Sequence, residues 1–280
     1  MTLSIGRLAP RGSDPSYNLD SVLIIICLAL TYFNTAELLV AIYFRFKVQS
    51  GLYFWSMLLA TLALLPFCLG FMLEDFGIIP KYAGIAINCV GWIFMVSGQS
   101  FVLYSRLRLL LYSVPILRAV LCMIITNAIL WHPSTIALHY ASLYAPPSTI
   151  EGCKTVFGVI EKVQMVCFCI QEFTLSGLYI WRAADFQRTS FHRQKHFLWR
   201  LICTNIIIVL LDVALLVVEF RNLDDVQRGF KPLVYSIKLK LEIAVLNELV
   251  SSVEPGGGGH SSCAHQHDVS DFVVLSEVHR

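Results

Sequence analysis

Six long apolar runs, separated by short polar connections, restrict what this chain can fold into. Each is about 20 residues or longer, the length that a helix needs to cross the hydrocarbon core of a bilayer. They are Ser21 to Phe44, Leu52 to Leu73, Tyr82 to Tyr104, Ala119 to Leu138, Val156 to Trp181 and Leu198 to Val218. With 56% hydrophobic and only 14% charged residues, the 280-residue chain could not bury so much apolar surface in a water-soluble core. We therefore predict an all-α, multi-pass membrane protein whose main partner is the lipid bilayer.

A seventh segment, Gly229 to Val250, is more polar and has two interpretations. Lys238, Lys240 and Glu242 lie near its centre, where inserting a charged side chain costs about 3 kcal/mol. One interpretation is an amphipathic helix on a membrane surface. We favour the other, a seventh transmembrane helix whose polar residues recur at helical spacing and face the interior of a bundle.

The charges of the loops predict the orientation of the bundle. Basic residues follow the first, third and fifth runs, whereas the alternate loops are mostly acidic. Because Lys and Arg are enriched in cytosolic loops, the N-terminus is expected outside and the C-terminus in the cytosol. We expect residues 1–20 to be an extracytosolic segment, residues 21–250 a seven-helix transmembrane domain, and residues 251–280 a disordered cytosolic tail.

The basic residues beside these runs form a predicted cytosolic face that, with the tail, could bind a cytosolic protein. A net charge of +2 gives no reason to expect nucleic acid as a partner. The members of this predicted basic face are Arg106, Arg108, Arg182, Arg188, Arg193 and Lys195.

Polar residues inside the apolar runs are the candidates for a functional site, because such groups are costly in lipid and normally face the bundle interior. Asp212 and Lys238 would lie at similar depth in antiparallel helices, so they could form a buried ion pair. Lys238 could instead pair with Glu242, four residues on. The layer could also serve only to fix helix packing through interhelical hydrogen bonds, and we weigh the two roles equally. Its members are Asn34, Glu37, Gln99, Glu172, Asp212, Lys238 and Glu242.

The nine cysteines do not indicate a disulfide framework, since most lie in apolar runs where a thiol acts as a small hydrophobe. Cys89 and Cys153 lie near predicted outer loops, so one disulfide is geometrically allowed, although we favour two free thiols. A metal site formed by His260, Cys263, His265 and His267 of the tail is not favoured. We predict no metal or cofactor. No phosphate-binding loop, nucleophile elbow or zincin motif is present, so an enzyme is not predicted.

Three segments carry a resemblance to a known family. Residues 98–109 read GQSFVLYSRLRL, residues 171–181 read QEFTLSGLYIW and residues 235–249 read YSIKLKLEIAVLNEL. Together they resemble a fungal family of seven-helix integral membrane proteins, domain of unknown function 7703. The resemblance covers about Ser21 to Val250 and implies that the last helix is inserted in the membrane. It implies no activity and no catalytic residues.

The sequence is compatible with two functions. The outside N-terminus, the basic loop after the fifth run and the cytosolic tail favour a receptor-like or sensory protein, by analogy of architecture. The intramembrane carboxylates favour the alternative, a small-solute or proton-coupled transporter. No internal repeat supports the transporter.

Overall fold

The computed structural model of the protein is all-helical and confirms the predicted fold class. The structure describes residues 19–46, 51–75, 78–111, 113–146, 148–189, 192–221 and 224–253, and no strand occurs in these ranges. The helices are α1 (Leu19–Arg45), α2 (Leu52–Asp75), α3 (Lys81–Leu110), α4 (Val114–Tyr144), α5 (Ile150–Thr189), α6 (His192–Phe220) and α7 (Asp224–Val253).

Some of the predictions fall outside the described residues. The predicted N-terminal segment lies there almost entirely, as does most of the predicted tail with His260, Cys263, His265 and His267. The side chains of Arg188, Arg193 and Lys195 also lie outside the described part of the chain.

Successive helices run in opposite directions, as short connections between long helices require. In the α2–α3 pair, Gly98 lies against Ala60 and Gly70 lies against Asn88, so the two helices are antiparallel. Glycines let these helices approach closely, because an added Cβ on Gly91 would lie 2.4 Å from the backbone nitrogen of Phe67. Small residues are a common device for close helix packing in membranes.

The first and last helices are neighbours and run in the same direction. Asn34 of α1 donates a hydrogen bond to Ser236 of α7 over 3.0 Å, and Glu37 pairs with Lys240 further along both helices. Because α1 contacts both α2 and α7, the helices close into a ring. The helix α3 also contacts α4, α5 and α7, so it lies toward the interior.

The helix α7 takes its place in this ring as a packed member of the bundle. It packs against α1, α2, α3 and α6, and its Lys238 side chain is fully buried. The charged residues of this segment, Lys238, Lys240 and Glu242, therefore pair with residues of other helices.

Five of the seven helices are long and apolar enough to cross a membrane, which indicates a membrane-embedded protein. The helices α5 and α7 are not among the five, and Glu172 and Lys238 are charged residues within them. Large apolar side chains cover the outside of the bundle, as a lipid environment allows; Phe33, Phe94, Ile129 and Leu210 are examples. The qualifying segments are Val22–Arg45, Leu52–Glu74, Lys81–Arg108, Val114–Tyr144 and Trp199–Phe220.

The close α2–α3 contact gives a first prediction. Gly91→Ala should lower the free energy of unfolding by about 1–3 kcal/mol, because the new methyl group must push the backbone of Phe67 away. Gly177→Ala in α5 is the matched control, since no other helix in the described part of the chain comes within 4 Å of its added Cβ. Thermal unfolding of both variants in detergent would measure the difference. Equal stability of the two variants would contradict the packing described here.

Candidate functional site

Two clusters of buried polar residues, most of them charged, lie inside the bundle, and α7 contributes to both. The first, which we call the Lys238 cluster, consists of Lys238, Glu172 and Asp212. The second, the Glu242 cluster, consists of Glu242, Arg106 and Asn205. Lys238 and Glu242 are four residues apart, so the clusters are separated by about 6 Å, one helical turn, along α7.

The Lys238 cluster joins α5, α6 and α7. The ammonium group of Lys238 donates to Oε2 of Glu172 over 2.7 Å and to Oδ1 of Asp212. The three side chains are at most 2% exposed. A buried ammonium requires such partners, because the cost of removing it from water is several kcal/mol. The predicted Asp212–Lys238 pair is therefore present, whereas Lys238 does not pair with Glu242.

The Glu242 cluster lies nearer the end of the bundle at which α3 and α7 finish and α6 begins. Arg106 donates to Oε2 of Glu242 and to Oδ1 of Asn205, each over 2.5 Å. Its guanidinium carbon lies 4.2 Å from the ring centroid of Tyr179, a cation–π contact. The hydroxyl of Tyr53 donates to the backbone oxygen of Glu242 over 3.3 Å. The cluster thus connects α2, α3, α5, α6 and α7.

The position of Arg106 corrects one prediction. We expected Arg106 and Arg108 together on an exposed basic face, but Arg106 is only 4% exposed. Residues two apart on a helix point in nearly opposite directions, so they cannot both face outward. Arg108 is the exposed one, and Arg182 is partly exposed and lies 3.5 Å from Asp185.

Glu37 also differs from its predicted interior position. Its carboxylate accepts a hydrogen bond from Lys240 over 2.5 Å, and Lys240 donates to Asn34 over 2.6 Å. The side chain of Glu37 is 58% exposed, so this ion pair lies at the seam between α1 and α7 and outside the two buried clusters. Spacing along one helix could not distinguish a seam position from an interior one.

Amide groups form a third polar set, most of which the sequence analysis missed. Gln171 donates to Ser100 over 2.8 Å and accepts from Asn127 over 2.7 Å, which joins α3, α4 and α5. The predicted Gln99 is fully buried, and neither its amide nitrogen nor its oxygen has a partner among the described residues. The presence of amide side chains within apolar runs is the sequence feature that could have predicted this set.

The two cysteines considered for a disulfide are both free thiols. Cys89 is buried, whereas Cys153 is partly exposed.

A small cavity adjoins the Lys238 cluster. Glu172, Asp212, Tyr235 and Lys231 contribute to its wall, together with apolar side chains such as Trp92. Its volume of about 20 Å³ is sufficient for about one water molecule. Oδ2 of Asp212 is buried and has no hydrogen-bond partner in the described part of the protein. The site can therefore accommodate a very small polar species next to two carboxylates.

The Lys238 cluster gives a second prediction. Lys238→Met should lower the free energy of unfolding by about 3–5 kcal/mol, because two carboxylates would remain buried without their cation. Lys240→Met is the matched control on the same helix; it breaks the half-exposed pair with Glu37 and should cost about 1 kcal/mol or less. Thermal unfolding in detergent would compare them. Adding Glu172→Gln and Asp212→Asn to Lys238→Met should restore most of the loss, and failure to do so would argue against the electrostatic explanation.

Comparison with known proteins identifies a family for this chain but assigns it no activity. No curated protein matches the chain. A family profile described as a domain of unknown function matches residues 15–263, which include all seven helices and therefore both buried clusters. Since this match covers most of the sequence, the chain belongs to the family of domain of unknown function 7703 (DUF7703).

Proposed function

We propose that this protein is a receptor-like, sensory membrane protein with seven transmembrane helices, its N-terminus outside and its C-terminus in the cytosol. The proposal rests on one observation: α6 and α7 each contribute residues to both buried polar clusters. One of these clusters adjoins a cavity, and the other lies near the end of the bundle that carries Arg108.

Two features support seven crossings. The parallel arrangement of α1 and α7 requires that the chain reverse an even number of times between them. The charges that make α5 and α7 polar are largely enclosed by other helices: Glu172, Lys238 and Glu242 are each at most 2% exposed. In a bundle of this kind such helices can cross a bilayer without presenting these charges to lipid.

A change of charge in the Lys238 cluster would alter the attraction between α6 and α7, because Asp212 and Lys238 belong to these two helices. Both helices continue into the Glu242 cluster, where Asn205 and Glu242 hold Arg106 of α3. A shift of α6 would therefore change the contacts of α3 at the basic end. Transmission of this kind requires that the helices have two discrete arrangements.

The alternative is a carrier for a small solute or for protons, and the carboxylates of Glu172 and Asp212 at the cavity support it. The geometry supports it less well, because a carrier requires access from alternate sides to a central site. The described helices have no unwound segment beside the cavity, and broken helices of that kind form the sites of many carriers.

The third prediction tests the crossings. A tag before Met1 and a tag after Arg280 should lie on opposite sides of the membrane of sealed vesicles. The first should lie on the extracytosolic side and the second on the cytosolic side. Protease protection of each tag, before and after the vesicles are opened with detergent, measures this directly. Two tags on one side would mean an even number of crossings and would contradict the seven-helix proposal.

The fourth prediction tests the coupling between the clusters. Arg108 of α3 and Trp199 of α6 are both exposed near the basic end, so each can be replaced by a cysteine that carries a nitroxide label. Asp212→Asn should change the distance between them by about 2 Å or more, or populate a second distance, because it weakens the α6–α7 attraction. Pulsed electron paramagnetic resonance in nanodiscs measures the distribution, in a background without accessible cysteines.

Glu37→Gln is the control for that experiment, since it neutralises an α1 carboxylate outside both clusters. It should leave the distance distribution unchanged. Glu242→Gln, which weakens the contact with Arg106 directly, should change the distribution in the same direction as Asp212→Asn. A wild-type distribution in both cluster variants would overturn the proposed switch.

A further inference from the structure

We propose that the cavity beside the Lys238 cluster is a binding site for one small monovalent cation, either a proton or a sodium ion. The proposal adds a ligand to the switch proposed above. Binding itself does not require signalling, so the cation site can be tested independently of the helix movement.

The charges of the cluster provide the first argument. Two carboxylates, those of Glu172 and Asp212, contact a single ammonium, that of Lys238, and each of the three side chains is at most 2% exposed. With all three groups ionised, the cluster carries one negative charge in excess. An uncompensated charge in such an environment costs several kcal/mol, so one further positive charge would stabilise the cluster.

The geometry shows where that charge would bind. Oδ1 of Asp212 accepts from Lys238, whereas Oδ2 is buried and accepts from no described protein group. Asp212 and Glu172 both line the cavity, and the available volume of about 20 Å³ suits a species the size of one water molecule. A proton held by a carboxylate or a sodium ion fits this volume.

The other groups around the cavity affect its occupancy. Cys169 of α5 and Tyr235 of α7 line it, and neither carries a positive charge. Lys231 of α7 also lines it, about 10 Å along the helix from Lys238. Because Lys231 is only partly buried, its charge offsets the excess of the cluster incompletely. It should oppose cation binding, and more strongly for a divalent ion than for a monovalent one.

The experiment measures the thermal unfolding of the full-length protein in nanodiscs of neutral lipid. In one arm sodium chloride replaces choline chloride at constant pH and ionic strength; in the other the pH is lowered from 8 to 5 without sodium. A cation that binds only the folded protein should raise the melting temperature by several degrees over the range in which it binds. A response to sodium at constant pH identifies sodium, and a response to pH alone identifies the proton.

Variants assign the response to the cavity. Asp212→Asn and Glu172→Gln each remove the excess carboxylate and should abolish the response, and either one suffices if the other fails to fold. Lys231→Met should strengthen binding, so that the midpoint moves several-fold toward lower cation concentration. Lys240→Met removes a positive charge from the same helix outside the cavity and should not move the midpoint. The inference is overturned if neither cation changes the melting temperature, or if the response persists in both carboxylate variants.

Discussion

The burial of the Lys238 ammonium is the constraint on which the packing of α5, α6 and α7 depends. The ammonium is fully buried, and its ionised form is tolerated there only because α5 and α6 each bring a carboxylate to it. These contacts fix the rotation of three helices about their axes. They also explain how α5 and α7 can carry charges in their middle, because Glu172 and Lys238 contact each other inside the bundle.

A different kind of interaction operates between α2 and α3. The helices α2 and α3 meet through backbone approaches at glycines, where close packing replaces charge. The helix α3 takes part in both arrangements, since its Gly91 lies against α2 and its Arg106 contacts Glu242 of α7. It therefore connects a closely packed half of the protein to a polar half that is joined by long side chains.

Hydropathy is sufficient to predict the helical class and the approximate positions of the first six helices, because the length of an apolar run is a local property, whereas α7 is predicted from the helical spacing of its polar residues. Depth along antiparallel helices was sufficient to predict the contact between Asp212 and Lys238. Rotation about each helix axis was harder, since it depends on neighbours that the sequence does not specify. For this reason two sequence-based predictions are wrong: Glu37 lies at a seam rather than inside the bundle, and Arg106 is buried rather than exposed.

The parallel contact between α1 and α7 has a consequence for biosynthesis. The ribosome delivers the chain N-terminus first, so α5 with Glu172 and α6 with Asp212 emerge before α7 with Lys238. Until then the flank of α1 that α7 covers is open, and two carboxylates lack their cation. A nascent chain that stops short of the last helix is therefore an unfinished bundle with an exposed polar interior. Such a species is a natural target for the chaperones and proteases that monitor membrane proteins.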